Sequence, residues 1–328
     1  MKSLLDKIGD ARLEEIAGCI NIGNVKKFKE IQVQFPEYDP TFLWLLCYTR
    51  EDIPFQQKYI EENYKIFHQI LDSDFPRLLS KKGWFTSRMW EMILCDVLSN
   101  SGDLIQKSAS GPDFILKVPN GDLIQIEAVA PDEASDKTLR SIRPDYSHNK
   151  IFSLTGNIED LERPILLRVL KGIQDKAKSH SSERPLIIAL NSSKTVGLSS
   201  RDPYVLGRIL FGLGFVTLSM HGEVGFQQNP FLNKPDSPSF PVALFRDPLY
   251  KKISGIIYTS QSPLSLIPNG SGWHNYGITY VPNPLASHET EVCFPSLRRI
   301  ECTDEVYREI DADSPPLSHD QLHVLASV

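Results

Sequence analysis

Residues 113–129 shape the reading of the whole chain. Asp113-Phe-Ile-Leu-Lys-Val118 and Leu123-Ile-Gln-Ile-Glu-Ala-Val129 are short and rich in β-formers, and Pro119-Asn120-Gly121-Asp122 joins them. An Asn-Gly pair between two such runs is the strongest short-range hairpin signal, so two antiparallel strands are expected. Side chains alternate along a strand. Asp113, Ile115 and Lys117 therefore share one face of the first, and Gln125, Glu127 and Val129 share one face of the second. Such pairing lets Asp113 and Glu127 approach each other across the ladder. Two carboxylates that close repel unless a divalent cation lies between them. Hard oxygen donors, with water in the remaining positions, suit Mg2+ or Mn2+.

The segments around this hairpin predict an α/β protein. A helix is expected from Ser87 to about Asn100, with Trp90, Ile93, Leu94, Val97 and Leu98 as its apolar stripe. Glu91 falls at the edge of that stripe, Asp96 points away toward water, and Gly102 sits where a helix-stopping glycine belongs. The polar stretch from Pro131 to Glu162 reads as a long loop, followed by a helix from about Pro164 to His180. Pro185-Leu-Ile-Ile-Ala-Leu-Asn191 has the continuous apolar character of a fully buried strand. A helix over about Pro203–Gly212 and another buried strand over Ile253–Thr259 come next. Three regions result: a helical N-terminal unit over 1–80, a core over 81–218, and a loop-rich α/β extension over 219–328 packed on the core, with an acidic tail. The expected fold is a central mixed β-sheet flanked by helices.

Composition excludes several classes. The 328 residues are 41% hydrophobic and 23% charged, which rules out disorder as a global description, and a net charge of −6 rules out a uniformly basic nucleic-acid coat protein. No uninterrupted apolar run reaches the roughly 18 residues of a membrane helix, and residues 1–12 lack the apolar core of a secretory signal. The five cysteines are widely spaced without a C-x-x-C, so neither a zinc ribbon nor a disulfide framework fits, and reduced thiols in the cytoplasm are expected. Gly212-Leu-Gly214 is no dinucleotide fingerprint, Asn269-Gly-Ser-Gly272 is a turn, and His274 and His288 lack metal-ligand spacing. The stretch from Lys137 to Arg184 is locally basic, with ten Lys or Arg against six Asp or Glu, and could track a phosphate backbone. A solvated surface of mixed charge is the other reading of it.

A helical Glu in Trp90-Glu91-x-x-Leu94, then Gly111-Pro112-Asp113 opening a strand, then Ile126-Glu127-Ala128-Val129 on the next resembles the PD-(D/E)XK nuclease superfamily. The likeness covers roughly Lys81 to Asn191. It implies a restriction-endonuclease-like core and phosphodiester hydrolysis of nucleic acid, DNA before RNA. Asp113, Glu127 and Glu91 would hold Mg2+ or Mn2+. The chain departs from the pattern at the superfamily's lysine, where Val129 stands. Either the lysine comes from elsewhere or the protein is a degenerate member serving as a nucleic-acid or protein binding scaffold. On the helix from Pro164, Lys176 borders the apolar stripe of Leu166, Leu170, Ile173 and Ala177, whereas Lys171 and Lys178 fall on the far side. Lys176 is therefore the candidate displaced lysine and Arg168 the candidate phosphate contact. Lys117 shares the Asp113 face but lies about 13 Å along the strand. Arg140 and Arg143 fall in the long polar loop and suit a substrate-facing lid. A protein partner, or a second copy of the chain, is expected at the helical N-terminus.

Overall fold

The computed structural model describes residues 2–21, 24–49, 53–105, 111–131, 158–179, 183–195, 204–218, 224–234, 237–267, 277–290, 294, 297–302 and 307–310. Arg140, Arg143 and most of the polar stretch after Pro131 lie outside them, as does the acidic tail beyond residue 310. The chain divides into two compact units. One is Met1–Asp122 with Ser262–Tyr276, the other Leu123–Gln261 with Gly277–Val328.

The first unit is mainly helical. Its helices are α1 (Lys2–Ile8), α2 (Ala11–Ile16), α3 (Val25–Gln34), α4 (Pro40–Cys47), α5 (Ile53–Phe67), α6 (Phe75–Ser80) and α7 (Phe85–Ser99). Short side chains start several of them. Asp10 accepts from the Arg12 backbone N–H at 3.0 Å, and Asn24 from that of Lys27 at 3.1 Å, each satisfying a donor that the first helical turn leaves open. Asp39 is buried and does more. One carboxylate oxygen accepts from Thr41 N at 2.8 Å in the first turn of α4, and the other from Gly83 N at 3.0 Å, just ahead of α7. A two-residue parallel ladder pairs β1 (Ile20–Asn21) with β2 (Tyr48–Thr49).

Helix α7 packs against α5 and α6, and its apolar face is wider than the expected stripe, taking in Met89, Met92 and Cys95 as well. The extra width corrects one expectation. Asp96 does not point to water: it is half-buried and accepts a hydrogen bond from the Tyr59 hydroxyl of α5 at 2.9 Å. Burial holds its carboxyl above the ordinary 3.8, against the Tyr59 hydrogen bond, which lowers it. Gly102 is also explained differently. It has no positive φ and does not cap the helix. A Cβ there would lie 2.3 Å from the Lys117 carbonyl oxygen, so glycine permits close approach of two backbones. Those backbones belong to β3 (Asp103–Ile105) and β4 (Phe114–Lys117), antiparallel with Leu104 opposite Leu116. After β4 the chain turns over three residues. Val118 N donates to Asp122 O at 3.0 Å, Gly121 N to Val118 O at 2.9 Å, and Gly121 takes φ 94°. A three-residue hairpin loop with glycine last has this form, and Asn120 Oδ1 accepts from Asp122 N at 2.9 Å to stiffen it.

The second unit is α/β. Its strands are β5 (Leu123–Val129), β6 (Leu186–Asn191), β7 (Leu213–Leu218), β8 (Val224–Gln228), β9 (Phe231–Lys234), β10 (Ser237–Pro241), β11 (Ile253–Thr259), β12 (Thr279–Pro282), β13 (Arg298–Cys302) and β14 (Tyr307–Ile310), with helices α8 (Ile158–Lys178) and α9 (Tyr204–Phe211). Within this unit the main sheet runs β14-β13-β12-β11-β6-β5. Strands β5, β6 and β11 are mutually parallel, β12 is antiparallel to β11, β13 parallel to β12, and β14 antiparallel to β13. Parallel neighbours need a crossover, and α8 supplies it between β5 and β6. All six residues of β6 and all seven of β11 are buried, as their apolar runs predict. The segment expected to be loop-rich thus supplies β11 to β14, four of these six strands.

Leu166, Val169, Leu170, Ile173 and Ala177 of α8 and Leu206, Ile209 and Leu210 of α9 share one core with Ile188, Leu190, Ile256, Tyr258, Val281 and Ile300 of the sheet. The register sets Glu127 beside Ile188 and Val129 beside Leu190, so both project toward the face that α8 covers. The chain is therefore α/β with a mixed central sheet. No helix among the described residues is long and apolar enough to cross a membrane.

Candidate functional site

Glu127 lies in the interior of β5 and is 3% exposed. A carboxylate taken that far from water costs several kcal/mol unless a cation and hydrogen bonds meet it. The cation is Lys176. Its Nζ donates to Glu127 Oε2, while the side chain keeps 30% of its own exposure. Two features bring it there. The apolar positions of α8 face the sheet, and Lys176 stands at the edge of that face beside Ile173 and Ala177. One turn earlier, Gly172 lets the helix settle close to β5: a Cβ there would lie 3.2 Å from Pro131 Cγ and 3.5 Å from Val129 Cγ2. The lysine stem then runs along apolar surface and delivers its head to the acid.

Val129, two residues after Glu127, is partly buried and packs against the core beneath α8. The ammonium that meets Glu127 comes from α8. Lys171 and Lys178 are exposed, as their far-side placement predicts. Arg168 is partly buried on α8, about 12 Å along the helix from Lys176 at 1.5 Å per residue. Sequence reading passed over two residues here. Gly172 carried a signal, a glycine between apolar positions of a long helix. Gln125 shares the Glu127 side of β5, and its buried Oε1 has no hydrogen-bond partner among the described residues.

The other candidates lie in the first unit. Asp113 is partly buried and stands immediately before β4. Glu91 is 12% exposed and bound at 2.8 Å by Arg88, three residues earlier on the same face of α7; Arg88 also holds Asp72 at 3.0 Å and lies over the Trp84 ring. A metal at Glu91 would have to compete with that guanidinium. Lys117 is exposed at the end of β4.

Among the described residues no three His, Cys, Asp or Glu side chains come together as a metal-binding group. A set of one or two carboxylates is still within the habit of Mg2+, which keeps several waters and takes substrate phosphate oxygens to complete its octahedron. A buried carboxylate such as Glu127 suits that donor chemistry. No protein-family model, curated protein or solved structure matches the chain.

Proposed function

We propose that the protein is a metal-dependent phosphodiester hydrolase acting on nucleic acid, DNA before RNA, of the PD-(D/E)XK kind. The observation that carries this reading is the Lys176 ammonium on the buried carboxylate of Glu127, two groups drawn from elements 49 residues apart. In this reading the carboxylates that would hold Mg2+ or Mn2+ are Glu127 and Asp113, with Glu91, now bound by Arg88, as a third. When bound, the metal would acidify a water molecule and screen charge on the phosphate. Glu127 supplies an oxygen fixed by the strand. Lys176 would present its ammonium to the phosphate oxygen on which negative charge builds. A preorganised donor of this kind is worth about 10²–10³-fold in rate. In the same reading Arg168 would bind a neighbouring phosphate, and Arg140 and Arg143, outside the described residues, would be further substrate contacts.

Plasmid cleavage with added Mg2+ or Mn2+ tests this. Glu127→Ala and Asp113→Ala should abolish it, and Lys176→Ala should slow it by about 10²–10³-fold. Normal cleavage by Lys176→Ala would sink the displaced-lysine assignment, and cleavage of mononucleotides but not of plasmid would move the substrate to small phosphate esters. The same ion pair favours one rival reading, a scaffold that keeps the fold without the chemistry, because Glu127 already has its counter-ion in place. A scaffold would show no metal binding that depends on Glu127.

A further inference from the structure

The N-terminal region holds a second chemically distinct feature, at the start of the short ladder between β1 and β2. Ile20 pairs with Tyr48 and Asn21 with Thr49, in parallel. Cys19 and Cys47 each stand one residue before the first pair. Gly18 N donates to Leu46 O at 2.9 Å, which holds the two incoming chains together ahead of the ladder. The register of the ladder thus sets the two cysteines side by side at its entrance. Cys47 is fully buried at the end of α4, while Cys19 is partly exposed. Lys27, whose ammonium donates to the Cys19 carbonyl oxygen at 2.7 Å, sets a positive charge beside the pair. Cys95 is buried on α7.

We infer that Cys19 and Cys47 form a redox-active dithiol that a peroxide converts to an intramolecular disulfide. The accessible sulfur meets the oxidant first. Cys19 gives up an electron pair to one peroxide oxygen, the O–O bond breaks, and the products are Cys19 sulfenic acid and water. The Cys47 sulfur then attacks the Cys19 sulfur, the S–O bond breaks, and the Cys47 proton leaves with the hydroxyl as a second water. The two thiols lose two electrons in all, the peroxide gains them, and any dithiol reductant reverses the change. Burial pushes the Cys47 thiol up to about 12, opposed by Lys27. The new bond would staple the β1–β2 ladder and close the segment that carries α3 and α4.

The full-length reduced protein treated with hydrogen peroxide, with thiols counted and peptides mapped without reductant, tests the pair. Titratable thiols should fall from five to three while the chain stays monomeric on a non-reducing gel, with one linked peptide joining Cys19 to Cys47. Dithiothreitol should restore all five. In Cys47→Ser, Cys19 should instead be trapped by dimedone as the sulfenic acid, and Cys19→Ser should keep its four thiols under the same treatment. Five thiols remaining in the wild type, a link between any other two cysteines, or a disulfide joining two chains would overturn the inference.

Discussion

Lys176 reaches across from α8 to seat its ammonium on Oε2 of Glu127, the buried carboxylate of β5. The pair sits one helical turn after Gly172, which lets α8 settle against the end of β5. Its energetics are asymmetric. Removing the lysine strands a charge inside the protein, whereas removing both charges does not.

For that reason Lys176→Met should destabilise the fold by on the order of 2 kcal/mol at neutral pH, less than for a fully sealed pair because the lysine is 30% exposed. Glu127→Gln/Lys176→Met should recover most of the loss, giving a coupling energy of about 1 kcal/mol or more. Urea unfolding of the wild type, both single variants and the double variant measures this. Additive losses would show that the two groups do not act as a pair.

Gly102 makes a different demand. Any side chain there drives its Cβ against the Lys117 carbonyl oxygen, a backbone atom in the β3–β4 ladder that cannot rotate away. Gly102→Ala should cost about 2 kcal/mol or more. Gly83→Ala, at φ 83° but with nothing within 4 Å of the added carbon, should cost only about 1 kcal/mol. The midpoints of thermal unfolding of the two variants should fall in that order.

Two aspartates of the first unit should shift stability with pH in opposite senses. Hydrogen bonds from the Arg12 and Tyr38 side chains hold the Asp10 carboxyl well below its ordinary 3.8. Its contribution is present above 3.8 and is lost as pH falls toward the depressed value. Asp10→Asn should therefore destabilise at pH 7, and the deficit should shrink as pH drops below 3.8. Burial raises Asp96 above 3.8, so stability falls as pH rises through the window between 3.8 and the raised value. Asp96→Asn should be stabilising at pH 7 and nearly neutral at pH 3.5. Denaturant melts at those two pH values separate the cases.

Asn283 closes the chain after β12. Its buried amide donates to Ile253 O at 2.7 Å and Tyr250 O at 3.2 Å, and its Oδ1 accepts from Leu285 N at 3.0 Å. Asn283→Ala leaves all three backbone partners short of a bond, and should lower stability by on the order of 3 kcal/mol. Guanidinium unfolding measures the loss, and an Asn283→Asp variant should not restore it, because a carboxylate cannot donate to the two carbonyls.

Local pattern alone determined a good deal. The apolar runs of β6 and β11, the loop ending in Gly121, the helix that became α7 and the position of Lys176 at the edge of the α8 stripe all follow from periodicity and turn chemistry, which act within a few residues. Lys176 was legible as a candidate because a lysine beside an apolar stripe must find water or an acid. What only the tertiary structure decided depends on partners distant in sequence. The Tyr59 hydroxyl turns Asp96 inward, the Lys117 carbonyl explains Gly102, and residues 262–276 return to the first unit while the chain on either side of them belongs to the second. Strands β12 to β14 are too short and too polar to announce themselves, and become strands because β11 offers its open edge. The meeting of Cys19 with Cys47 is of the same sort: a two-residue ladder has no periodicity to read, and exists only because the surrounding helices bring two chain segments side by side.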